Sequence, residues 1–309
     1  MRKTRGFFVA ALTVVLAVGT VGVSIGQNTT PTTAHGTAIP NMAVGPQYDT
    51  AHVYVAPEDF DRLVQSLLAT FGGTTTKQFV LTITPTLSST MWQLVMTPVG
   101  SVSVLGFKTP IPYPFGAERI SFLVTDMDAA IRAARANGAD VFVTPFNDPV
   151  GRDAIIQWPG GVITQLYWHT TAPSYAPLQT VPESHAYVSA DRAAAFIESF
   201  LAFTQGRVVS DDEHAPGIEI GRPSDTYRRV RIESNFGKLT VLVTDGHLPY
   251  PYGRETIGYE VPSLADTLAK AKAAGVEIVI APYVGDGRDE TIVKFPGGYI
   301  AEIHSRASK

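Results

Sequence analysis

The chain repeats itself, and this constrains its fold more than any other feature. Residues 112–120 read Pro-Tyr-Pro-Phe-Gly-Ala-Glu-Arg-Ile, and residues 249–257 read Pro-Tyr-Pro-Tyr-Gly-Arg-Glu-Thr-Ile, a displacement of 137 positions. The same displacement pairs Gly138 with Gly275, Pro145 with Pro282, and Pro159-Gly160-Gly161 with Pro296-Gly297-Gly298. Upstream, His52-Val53-Tyr54-Val55 returns as His185-Ala186-Tyr187-Val188. A repeat of this length is a whole domain, so two tandem domains are expected, at 48–172 and 180–305, joined by a loop-rich linker at 173–179.

Each domain looks duplicated again. Residues 119–124 alternate like a strand, Asp126 is a suitable N-cap for a helix from Ala129 to Ala136, and Gly138 stops it. Strand-like stretches follow at 141–143, 154–158 and 162–168, giving the order β-α-β-β-β, and 256–303 repeats it with a helix from Leu264 to Ala274. The leading halves fit the same order: a strand at 52–55, a helix at 58–70 and strands near 79–84, 91–97 and 101–107. In the second domain the pieces fall at 185–189, 191–203, 217–220, 227–233 and 238–244. One such unit cannot cover both faces of its sheet. Two side by side can curve into a half-open barrel, so the expected class is α+β: four βαβββ units forming two half-barrels with helices outside and a cavity inside.

The ends and the composition bound the function. Arg2, Lys3 and Arg5 precede an apolar run from Phe7 to Ile25, and Ser24 and Gly26 suit a cut before Gln27; residues 1–26 read as a secretory signal, with an uncleaved membrane anchor as the alternative. Without them 21 basic residues face 28 acidic ones, a net of −7, which suits a soluble exported protein and gives no footprint for nucleic acid. Residues 27–47, rich in Thr and Pro, read as a flexible tether. The absence of cysteine excludes disulfides, thiolate metal sites and a cysteine nucleophile. There is no Gly-x-Ser-x-Gly elbow, Walker-type phosphate loop or His-Glu-x-x-His.

The fourfold unit, the His-initial strands at 52 and 185, the strand openings at 119 and 256, and the terminal Pro-Gly-Gly-Tyr-Ile-Ala-Glu at 296–302 resemble the vicinal oxygen chelate superfamily. That superfamily holds glyoxalase I, extradiol dioxygenases and the bleomycin- and fosfomycin-resistance proteins. The resemblance covers residues 48–305 and implies two tandem glyoxalase-like domains. It also implies where a divalent metal ion would sit: on the first residue of the opening strand, at the opening of the second unit and on an acid of the final strand. In the second domain these positions hold His185, Thr256 and Glu302; two of them are good donors, so one divalent ion in the second domain is the cofactor the resemblance implies. In the first domain they hold His52, Arg119 and Gln165, and an inward Arg119 would repel a metal.

Alternation along Tyr227–Glu233 places Val230 and Ile232 on one face and Arg229, Arg231 and Glu233 on the other, the expected concave side. Two inward arginines would favour an acidic small molecule. Their first-domain partners are Trp92 and Leu94, which predicts a more apolar cavity there and divergent ligands. The expected ligand-binding residues are therefore Arg229, Arg231, Thr256 and Tyr187 in one cavity and His52, Gln165, Arg119 and Trp92 in the other. Tyr113, Phe115, Tyr250 and Tyr252 cluster on the repeated loops, where they either rim a cavity or pack the crossover. Gly151-Arg152-Asp153 matches Gly287-Arg288-Asp289, as turns near the cavity mouths. Two functions remain open: an exported protein that binds a small molecule, and a metal-dependent lyase or extradiol-type dioxygenase with its site in the second domain.

Overall fold

Alternating apolar residues make strands the main element of this chain, and four helices interrupt them. The computed structural model describes Met42 and residues 47–251 and 253–307. The first half runs β1 (Ala51–Tyr54), α1 (Phe60–Phe71), the short β2 (Thr74–Thr75) and β3 (Phe79–Leu81), β4 (Thr90–Thr97), β5 (Gly100–Phe107), then β6 (Ile120–Leu123), α2 (Met127–Ala136), β7 (Asp140–Asn147), β8 (Gly151–Gln157) and β9 (Ile163–His169). The second half runs β10 (Glu183–Val188), α3 (Ala190–Thr204), β11 (Arg207–Pro216), β12 (Thr226–Ser234), β13 (Gly237–Val243), then β14 (Glu255–Glu260), α4 (Leu264–Ala273), β15 (Glu277–Gly285), β16 (Arg288–Lys294) and β17 (Ile300–Arg306). The expected leader at 1–26 lies outside the described residues. At the end of the segment read as a tether, Met42 and Gln47 are buried, and Gln47 Oε1 accepts from Leu123 N at 2.7 Å.

The strands form two curled sheets, ordered β2-β4-β5-β1-β6-β9-β8-β7 (β3 also pairs with β4) and β11-β12-β13-β10-β14-β17-β16-β15. Within each βαβββ unit the first strand lies parallel to the last, as in β1 with β5 and β14 with β17. The two units of each half meet antiparallel, at β1 with β6 and β10 with β14. The α+β fold of tandem glyoxalase-like half-barrels is the one observed. Asp126 caps α2 by accepting from Ala129 N at 2.9 Å, and Gly138 follows the helix with φ +83°.

One expected strand is absent. Residues 217–220 form a turn of 3₁₀ helix, and the strand of that unit is β11, immediately before it. β11 is an edge strand, largely exposed and rich in charge, so no buried face imposes apolar alternation on it.

One apolar core runs through both halves. The aromatic face of α3 packs on the first sheet, with Phe200 and Phe203 edge-on to Trp158 at 5.7 and 5.2 Å between ring centres. Phe71 of α1 packs on Tyr259 of β14 at 5.0 Å. Glu255 joins the sheets through polar contacts: its buried carboxyl group accepts from the backbone N–H groups of Arg119, Ile120 and Ile163 at 2.8–2.9 Å. No described helix is long and apolar enough to cross a membrane.

Candidate functional site

Each half encloses an interior between its two units, and the two interiors differ in what fills them. In the second half, β12 turns Arg229 and Arg231 inward as the alternation requires, beside His185, Tyr187 and Glu302. Both guanidinium groups are already engaged. Arg229 Nη1 is bonded to Glu219, which the 3₁₀ turn delivers from the loop after β11, and Arg231 Nη1 is bonded to Asp286. Arg288 donates to Glu183 Oε2 at 3.1 Å. Tyr227 and Tyr283 donate to Glu219 and Glu290 at 2.6 and 2.9 Å. The space left is about 30 Å³, room for about one water. The acidic small molecule expected for Arg229 and Arg231 meets arginines whose carboxylates come from the chain itself.

The donors in this interior do not fit a divalent ion. His185 on β10 and Glu302 on β17 share it, as expected, both buried. His185 stands opposite Thr256 in the β10–β14 register, but Thr256 Oγ1 sits 3.2 Å from the Tyr187 hydroxyl. The place between the two donors belongs to Gly258, opposite Glu302; a Cβ there would lie 3.0 Å from His185 Nε2 and closer still to Glu302. Thr256 is therefore not the middle position, and the residue that is has no side chain. Among the described residues no three His, Asp or Glu side chains gather as a metal site. Burial, aided by the charge of Glu183, pushes the Glu302 carboxyl up to about 8 against the pull of His185 and Arg288. Its Oε2 is 2.8 Å from His304 Nδ1, and its Oε1 is buried with no partner.

The first half keeps its interior open. The cavity is about 150 Å³, with Trp92 from β4, Phe115 from the Pro-Tyr-Pro loop and Ile83 as apolar wall. Trp92 is held in place by a hydrogen bond from Nε1 to Ser103 Oγ at 2.9 Å. The polar end is His52, Gln165, Asp49, Asp148 and Asp153. His52 lies 3.5 Å from Asp49 Oδ2 and 3.8 Å from Glu118 Oε1. Burial alone would lower the imidazole; the two carboxylates outweigh it and raise it to about 10, which favours the imidazolium form. Asp153 is buried among these groups and pushed well above the usual carboxylate range, first by burial and then by the charge of Asp148. His169 is lowered by burial.

Of the residues expected here, His52, Gln165 and Trp92 line the cavity and Arg119 does not. Arg119 lies over the Tyr54 ring, 5.5 Å from its centre, and donates to the Gly116 and Glu118 carbonyls at 2.6 and 2.9 Å. Of the loop aromatics, Phe115 reaches the cavity, Tyr113 is exposed, Tyr250 is buried against Tyr187, and Tyr252 lies outside the described residues. Asp153 comes from the Gly-Arg-Asp turn expected near the cavity mouth, whereas nothing in the sequence pattern marks Asp49, Glu183, Glu219 or Asp286 for these interiors. The repeat hid Arg288 as well. Gly151-Arg152-Asp153 and Gly287-Arg288-Asp289 look equivalent, but in the hairpins Gly151 pairs with His169 and Arg288 with Arg306, so Arg288 matches Gly151. A shift of one residue reverses the face of a strand. Arg288 enters its cavity, whereas Arg152 points away to Asp128, 3.2 Å distant.

Two curled sheets of paired βαβββ units, each around its own interior, define the vicinal oxygen chelate fold. The comparison with solved structures agrees. A substituted 4-hydroxymandelate synthase from Streptomyces coelicolor matches with a TM-score of 0.56 and 12% identity, covering 85% of this chain and 94% of that one. The 2,2',3-trihydroxybiphenyl 1,2-dioxygenase of Sphingomonas wittichii matches at 0.51 with 11% identity, over 84% of this chain and 90% of that one. A fusion of a xylose isomerase-like TIM barrel with a 4-hydroxyphenylpyruvate dioxygenase matches at 0.52 with 13% identity, over 87% of this chain and 50% of that one. No family model matches the sequence, and no curated protein matches it. At these identities the likeness is one of fold.

Proposed function

We propose that this protein binds a small molecule carrying a single ring in the cavity of its first half. The observation that carries the reading is the contrast between the matched interiors: about 150 Å³ beside Trp92 and Phe115 in the first half, against about 30 Å³ among His185, Arg229 and Glu302 in the second, where a separate space of about 120 Å³ opens between Arg231, Arg288 and Lys238. An apolar cavity of ~150 Å³ accepts a benzene-sized guest. The ring lies against Trp92 and Phe115, and its polar substituent meets the His52–Asp153 end. The second half is the scaffold that closes the shared core. A metal-dependent lyase or dioxygenase in that half would need a third donor where Gly258 stands and an ionised Glu302.

The basic-then-apolar N-terminus supports export of this binding protein, with Gln27 as the first residue of the secreted form; N-terminal sequencing of secreted protein tests it. Binding is tested with 2-phenylethanol, a neutral probe of the right size, by calorimetry and ligand-observed NMR. Saturable binding is expected, weakened at least ~10-fold in Trp92→Ala, since an aromatic wall contributes ~0.5–1.5 kcal/mol beyond the area it buries. No binding, or binding that Trp92→Ala leaves unchanged, refutes the site.

A further inference from the structure

The charged side chains around the first cavity are mostly acidic. Among the described residues no lysine or arginine lines it, whereas Asp49, Asp148 and Asp153 do. The basic groups there are His52 and His169. The charge of His52 is already matched by Asp49 and Glu118, and Glu118 also accepts from the Tyr54 hydroxyl. Burial holds His169 toward its neutral form. Asp49 Oδ1 is a buried oxygen with no hydrogen-bond donor. Asp153 is 7% exposed, and what remains exposed faces the cavity, where aromatic rings form much of the wall.

We propose that this cavity is built for an organic cation: one ring carrying a protonated amine, with the ring against Trp92 and Phe115 and the ammonium between Asp153, Asp49 and Asp148. The proposal rests on the small-molecule reading above and adds the class of ligand. Carboxylates supply acceptors for the three N–H bonds of an ammonium, and ring faces attract the same charge. In the second half every inward acid has an arginine, tyrosine, threonine or histidine of the chain against it. The first half has no such internal cation beyond His52.

A proton follows from this geometry. Asp153 on β8 faces Phe146 of β7 and Tyr167 of β9 across the sheet. The groups that act on its charge are Asp148 of the β7–β8 turn, Gln165 of β9, His52 of β1 and Asp49 before it. Burial and the two aspartates push the carboxyl toward its protonated form, with His52 and Gln165 opposing them. An ammonium placed beside it reverses that balance. The proton leaves Asp153 for solvent as the cation binds, and the pair remains as carboxylate and ammonium.

The test uses full-length mature protein and three probes of one shape: phenethylammonium, 2-phenylethanol and phenylacetate. Calorimetry at pH 7 in two buffers of different ionisation enthalpy reads affinity and proton exchange together. Phenethylammonium is expected to bind at least ~10-fold tighter than 2-phenylethanol, with release of about one proton and affinity rising with pH. In Asp153→Asn, which keeps the shape of the neutral acid, the preference for the cation and the proton release are both expected to vanish. Equal affinity for cation and alcohol, or tighter binding of phenylacetate, overturns the assignment of class while leaving the cavity as a binding site; cation binding without proton release overturns the proton given to Asp153. Failure of all three probes overturns the small-molecule reading itself. Proton release that persists in Asp153→Asn overturns the role given to Asp153.

Discussion

The two interiors are built on matched positions and end in opposite states. Trp92 occupies the place of Arg229, Leu94 that of Arg231, Gly151 that of Arg288 and Gln165 that of Glu302, as the hairpin registers show. Where the second half puts arginines, the first puts an aromatic ring, an aliphatic chain and no side chain at all. The arginines draw in Glu219, Glu183 and Asp286 and fill the space. The first half, lacking them, keeps a cavity, and its carboxylates meet His52, Gln165 and backbone N–H groups in place of arginines. The same fold thus makes a polar core and an open pocket, and the choice lies in three or four inward side chains. Even an identical residue diverges: Glu118 pairs with His52 and Tyr54, while its repeat partner Glu255 holds the two sheets together.

The largest effect that would break this contrast is removal of Arg229. Arg229→Met leaves Glu219 buried without its cation and is expected to cost ~3–5 kcal/mol in urea unfolding, whereas Arg229→Met with Glu219→Met should recover most of it. A single substitution costing under ~1 kcal/mol would mean that the ion pair does not hold the second interior closed. Next in size is Gly258→Ala. The added Cβ meets the Glu302 carboxyl and the His185 ring, and an overpacked core of this kind loses ~1–3 kcal/mol. A neutral outcome there would show that Glu302 moves freely and that the middle position is not tightly filled.

A smaller effect depends on pH. Glu302 is raised to about 8 in the folded protein, above its ordinary value, so the stability it contributes is fully present below about pH 4.5 and is lost as the pH rises through about 8. Glu302→Gln should therefore match the wild type at pH 5 and exceed it at pH 9, read as thermal midpoints across that range. The opposite slope would mean that Glu302 is ionised at neutral pH. The smallest expected effect is that of metal. Manganese or zinc ions should leave the thermal midpoint of the protein unchanged, in wild type and in Glu302→Gln alike. A metal-dependent rise abolished by Glu302→Gln would restore the metal-enzyme reading.

Much of the fold was legible because repetition and alternation are local. The Pro-Tyr-Pro loops, the capped helix after Asp126 and the inward face of Arg229 and Arg231 all follow from spacing along one strand or helix. The strand read at 217–220 failed because glycine-flanked apolar residues look alike in a strand and in a 3₁₀ turn, and the true edge strand has no buried face to mark it.

Sequence by itself determined that this chain folds as four βαβββ units in two halves, and which residues of β12 turn inward. Tertiary structure alone decided what those residues meet. Glu219 and Asp286 reach the arginines from loops ten and more positions away, and a one-residue offset in a hairpin brings Arg288 in and turns Arg152 out. Gly258, with no side chain to announce it, holds the place between His185 and Glu302. Direction along a strand is fixed by the alternation of the backbone, but partners are fixed by packing across strands, and a buried charge takes whichever opposite charge the fold brings within reach.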